Sequence, residues 1–86
     1  MNMPDTIHEP ISVITVFNHE KRTVMPKKLF WKQREYIITK IGYHHQVREG
    51  RTLFHIFHVT DGNTDFRLLF NTESLHWTLE EVISQI

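Results

Sequence analysis

The sequence predicts a mainly β fold: a small, strongly twisted antiparallel sheet of five to six strands in an SH3-like or OB-like barrel, with a short C-terminal helix. Apolar and polar residues alternate with period two through most of the 86 residues. β-branched and aromatic residues dominate those stretches, as they do in half-buried strands. Turn-forming clusters separate the stretches, and at Thr78 the period changes to that of a helix. Curling into a barrel removes the exposed edges of so short a sheet.

Residues 1–9 carry no basic leader and no apolar run, and read as a short flexible lead to a single domain over residues 10–86. Strand one covers residues 11–17 and stops at the polar turn Asn18-His19-Glu20-Lys21. Strand two, residues 23–31, contains Pro26, which cannot donate to a ladder and marks a bulge or an edge. Strand three spans residues 35–43. Strand four, residues 51–60, meets strand five, residues 65–70, across Asp61-Gly62-Asn63, where Gly and Asn accept positive φ. A short strand at residues 75–77 precedes the helix. There Thr78 and Glu81 have the spacing of a capping box, and Leu79, Val82, Ile83 and Ile86 fall on one helical face. A helix this short must dock to persist.

A chain of this size builds one modest core and no deep catalytic cleft, so recognition belongs on its surface. The absence of cysteine excludes disulfides and thiolate metal sites and suits the cytoplasm. No stretch approaches the length of a bilayer span, so no membrane partner is expected. Net charge is zero, yet nine basic residues against two acids give the stretch from Lys21 to Arg51 a charge of +7, which the rest of the chain balances. Such segregation suits an acidic partner for the basic stretch, unless the two parts fold onto each other.

Basic and aromatic residues interleave between Lys27 and Lys40. With a two-residue loop at Lys32-Gln33 or Gln33-Arg34, pleating puts Lys27, Leu29 and Trp31 on one face with Arg34, Tyr36, Ile38 and Lys40, and leaves Phe30, Ile37, Ile41 and Tyr43 on the other. Lys27, Trp31, Arg34, Tyr36 and Lys40 then form a candidate binding surface, two rings framed by three cations, suited to stacked bases and their phosphates. The competing reading turns Trp31 and Tyr36 into the core and leaves the lysines at its rim.

The order of Pro26, Phe30 and Trp31 before a tight turn, Arg34, Tyr36, Ile38 and Ile41 after it, then His55, Phe57, Val59, Leu68, Phe70, Trp77 and Leu79, covers residues 11–82. It resembles small uncharacterised bacterial proteins of the kind grouped as a domain of unknown function, DUF6504. Such relatives tend to have glycine in the Trp-to-Arg turn, where this chain has Gln33. The resemblance implies a compact β fold in a bacterium and no established activity.

Seven histidines raise the question of a metal. His44 and His45 are neighbours, and His55 and His58 lie three apart, so each pair points to opposite sides of a strand. A site would need His44 or His45 to converge with His55 from another strand, and no acid completes it. No metal and no cofactor is therefore expected. Nucleophile elbows, phosphate loops and convergent acid–base pairs are absent, so no catalytic residue, small-molecule substrate or enzymatic activity is expected. The reading is a cytoplasmic macromolecular interaction module working through the Trp31 hairpin. Its expected partner is a protein, with weak, sequence-independent binding of single-stranded nucleic acid as the alternative.

Overall fold

A computed structural model of the chain describes residues 5–84. It holds seven strands, β1 (Asp5–Asn18), β2 (Thr23–Trp31), β3 (Arg34–Ile37), β4 (Lys40–Glu49), β5 (Thr52–Thr60), β6 (Thr64–Asn71) and β7 (Trp77–Ser84). All neighbouring pairs are antiparallel, in the order β3-β2-β1-β7-β6-β5-β4. The long β1 serves two partners. Its first part pairs with β7 as far as Ile11↔Trp77, and from Ser12↔Phe30 onward it pairs with β2. The sheet therefore divides at β1 into a five-stranded layer, β1-β7-β6-β5-β4, and a three-stranded ribbon, β1-β2-β3. Ile38 and Thr39 carry the chain from one outer edge to the other. Ile38 N donates to Lys27 O at 2.9 Å, and Thr39 N donates to Thr60 O at 2.9 Å. β3 and β4 are not paired with each other, so the sheet is curled but not closed.

Three expectations are corrected. The C-terminal helix is absent, because its residues are β7, a central strand paired on both sides. The cause is a β-bulge. Leu79 faces Leu68 and Glu81 faces Arg67, so Glu80 is an extra residue without a partner on β6. One extra residue reverses the alternation, which puts Leu79 and Val82 on the same side three positions apart, the spacing of a helical face. Ile86 lies outside the described residues. Secondly, the run over residues 35–43 is not one strand: it breaks at Ile38-Thr39 into β3 and β4, giving seven strands rather than five or six. Thirdly, β1 begins at Asp5, inside the supposed lead over residues 1–9.

Other local features follow the sequence. Pro26 sits at a bulge, where the β1–β2 register slips between Ile14↔Lys28 and Thr15↔Pro26 and leaves Lys27 as the extra residue. Asp61 Oδ1 accepts from the amides of Asn63 and Thr64, both at 2.8 Å, and Gly62 takes φ 102°, which builds the β5–β6 turn.

The core lies between the two layers. Three cross-strand rows of the five-stranded layer floor it: Val59, Phe66 and Val82; Phe57, Leu68 and Leu79; His55, Phe70 and Trp77. Leu29 and Ile38 are buried against these rows, with Val13, Val24, Trp31 and Tyr36 packed around them. Phe66, Leu68 and Leu79 are wholly or almost wholly enclosed. Each such side chain is worth about 1.5–3 kcal/mol of transfer free energy. No helix among the described residues is long and apolar enough to cross a membrane.

Candidate functional site

The β2–β3 hairpin turns on Lys32-Gln33, with Trp31 opposite Arg34 and Leu29 opposite Tyr36. Lys32 and Gln33 both adopt positive φ, 50° and 63°, so this is a tight primed turn made without glycine. Trp31, Arg34 and Tyr36 share one face, as a two-residue loop requires. That face is the inner one. Tyr36 meets Phe66 edge-on with ring centres 5.0 Å apart, and Trp31 lies 6.3 Å from Tyr36. Trp31 Nε1 donates to Glu9 Oε2 at 2.7 Å, which satisfies the indole at the rim of the core. The Lys32 ammonium stands 4.8 Å from the centre of the Trp31 ring and the Arg34 guanidinium 5.6 Å from that of Tyr36.

The five residues singled out from the sequence fall into two groups. Trp31, Arg34 and Tyr36 are together near the hairpin turn. Lys27, at the bulge, and Lys40, which begins β4 opposite Thr60, line one cleft with Pro26, Ile38 and Ile41, because the crossing at Ile38 brings the start of β4 beside β2. Neither ring is an open platform: both are half-buried against the core. Of the residues expected on the opposite face, Ile41 instead packs against the core beside Val59, because the chain changes layers at Ile38.

The outer face of the ribbon is the apolar surface that the sequence did not single out. Ile14, Lys28 and Ile37 form one cross-strand row, Ser12, Phe30 and Glu35 the next, and Val16 with Met25 extends it past the bulge. Ile14, Val16 and Ile37 are 50%, 46% and 62% exposed, unusual for three large aliphatics on one patch. Lys28 Nζ, in the middle, lies 3.4 Å from Glu35 Oε2. Exposed Lys21 and Arg22 occupy the turn at one end, and Lys32 occupies the turn at the other. The signal was in the sequence as period two in both strands, but parity alone does not say which face is covered.

Compared with known proteins, the chain matches no family model, no curated protein and no solved structure.

The outer face of β4–β7 is ionic. Because of the bulge, Glu80 and Glu81 both project to the side of Arg67. Glu81 Oε2 accepts from Arg67 Nη1 at 3.2 Å, and Glu80 Oε1 lies 3.3 Å from Arg67 Nε, a contact without hydrogen-bond geometry. Clefts of about 310 and 300 Å³ meet at Arg67, the first reaching Lys40, His58 and Thr60, the second floored by Val47, Phe54, Ile56 and Leu69. Tyr43, His45 and His58 cluster beside them, with Tyr43 4.9 Å from His45 and 5.6 Å from His58 between ring centres. Burial, then Arg67 and His45, hold the His58 imidazole below its ordinary range against a smaller opposing pull from Glu81.

On the inner face two histidines do converge. His44 Nε2 lies 2.6 Å from His55 Nδ1, and His44 stacks on Phe57 at 4.3 Å with the ring planes 2° apart. Burial and then the neighbouring imidazole, His45 for His44 and His44 for His55, push both below the ordinary value. A neutral pair makes this contact as a hydrogen bond, with one imidazole the donor and the other the acceptor according to tautomer. Among the described residues no group of three or more His, Asp or Glu could hold a metal ion.

Proposed function

We propose that this chain is a protein-interaction module whose partner lies on the outer face of the β1-β2-β3 ribbon. The observation that carries this reading is the apolar patch of Ile14, Val16 and Ile37, left exposed and flanked at both ends by cations. Its complement is a segment with apolar side chains and acidic neighbours, since opposite charge around an apolar centre steers the encounter and fixes orientation. The Trp31 hairpin remains the binding element, through the face opposite Trp31. Small curled sheets of the SH3-like kind carry many unrelated recognition surfaces, and this reading adds no catalytic step and no cofactor. A cytoplasmic location, supported by the absence of cysteine, goes with it.

A second reading, weak binding of single-stranded nucleic acid, draws on exposed Lys27, Lys32 and Arg34. With the rings half-buried it amounts to phosphate contact without base stacking. The two separate in one experiment. Short labelled peptides alternating leucine with glutamate should bind, and leucine–lysine peptides should not. Ile14→Ser and Ile37→Ser, both at exposed positions, should each weaken binding about fivefold or more without lowering the melting temperature. Equal binding of the two peptides, or indifference to both substitutions, overturns the proposal.

A further inference from the structure

We propose that two copies of this chain pair antiparallel, edge to edge, through β4. The strand is ten residues long, and among the described residues β5 is the one strand it touches; its other edge presents backbone donors and acceptors with no partner strand among them. Natural sheets blunt such an edge by keeping it short or by placing charge or proline along it. β3, the opposite edge, is four residues long. β4 has neither defence in its middle: Ile41-Gly42-Tyr43-His44-His45-Gln46-Val47 contains no Asp, Glu, Lys, Arg or Pro. The bulge at Gly42 bends only its start, where the register slips between Ile41↔Val59 and Tyr43↔His58.

The ends of the strand select the occupant. Lys40 stands at one end and Glu49 at the other, both exposed, both on the outer face, and neither in an ion pair with another described residue. Two such strands placed parallel would set lysine against lysine and glutamate against glutamate. Placed antiparallel about His45, each Lys40 comes within reach of the Glu49 of the other copy, and the two-fold axis makes the contact twice. Tyr43, 58% exposed, then lies across from Val47 of the second copy and gains an apolar neighbour. A ladder of this length buries less than a standard interface, so the association is concentration-dependent rather than obligate. It leaves the ribbon surface of the proposed function untouched, and either can fail alone.

The test is sedimentation equilibrium of the full chain with charge reversal. The wild-type mass should climb from 10.4 kDa toward about twice that value with concentration. Lys40→Glu and Glu49→Lys each set like charges at both ends and should each raise the dissociation constant about tenfold or more. Mixing the two variants restores attraction at both ends, as does the double swap K40E/E49K, so both samples should recover the wild-type mass. Circular dichroism of each variant checks that the sheet persists. A wild-type chain that stays at 10.4 kDa up to about millimolar concentration refutes the pairing. So do single variants that associate like wild type, or a mixture that does not recover.

Discussion

Removing Glu80 from the middle of a central strand should cost little, because Glu80 is the residue by which β7 exceeds β6. With it gone, Leu79 still faces Leu68, Glu81 still faces Arg67 and Val82 still faces Phe66, now without a slip, and every buried side chain keeps its side. The losses are peripheral. One is the contact between Glu80 and a partly exposed Arg67, worth about 0.2–1 kcal/mol. The other is realignment of the start of β1, whose own register slips between Thr6 and Glu9, about one ladder hydrogen bond or 1 kcal/mol. The sum is about 1–2 kcal/mol. Removing Thr78, two residues earlier, has no slack to absorb it: Trp77 and Leu79 become neighbours and cannot both face the core. Trp77 is 7% exposed, and losing a buried tryptophan costs about 3–5 kcal/mol. Urea denaturation of the two deletion variants, read by far-ultraviolet circular dichroism, should rank Glu80 deletion near wild type and Thr78 deletion near unfolded. Equal loss in both would refute the bulge, as a helix would be turned out of register by either.

Two further outcomes follow from the histidines and the hairpin. His44, His55 and His58 titrate near 6.5 in the unfolded chain and lower in the folded one, so the unfolded state binds more protons as pH falls through that interval. Stability should be full above about pH 6.5 and should decline below it until the folded imidazoles charge as well; His44→Phe, which keeps the stack on Phe57, should flatten the decline, and a urea midpoint indifferent to pH would contradict the burial argument. Trp31→Ala removes a half-buried ring and its bond to Glu9 and should cost about 1–3 kcal/mol in urea. An unchanged midpoint would mean that the indole is free to meet a ligand.

Much of the sheet was legible because its signals are local. Alternation marks β2, β5 and β6 to within a residue or two, Pro26 locates a bulge, and Asp61-Gly62-Asn63 locates a turn. What failed needed knowledge of the partner strand. A bulge at Glu80 reproduces the spacing of a helix, and only the fact that β6 has one residue fewer tells the two apart. Nothing in Glu35 to Tyr43 marks the crossing at Ile38, since both halves are strands and the break is set by which layers they join. The candidate site suffered the same way: parity grouped Trp31, Arg34 and Tyr36 correctly, but which side meets the core depends on Phe66, thirty positions away from Tyr36. His44 and His55 meet on a diagonal that only the β4–β5 register defines.

The double service of β1 shapes how the molecule is made. Its ribbon partner β2 follows it directly, whereas β7 is the last of the seven strands to leave the ribosome. Residues 12–18 can zip with β2 while synthesis proceeds, but residues 5–11 must wait for almost the whole chain, and loop closure over that span is slow. The ribbon is then expected to form early and the β1–β7 seam late, after the main barrier to folding. Substitutions there should slow unfolding or speed it with little effect on the first step, whereas substitutions in the ribbon should change how fast folding starts.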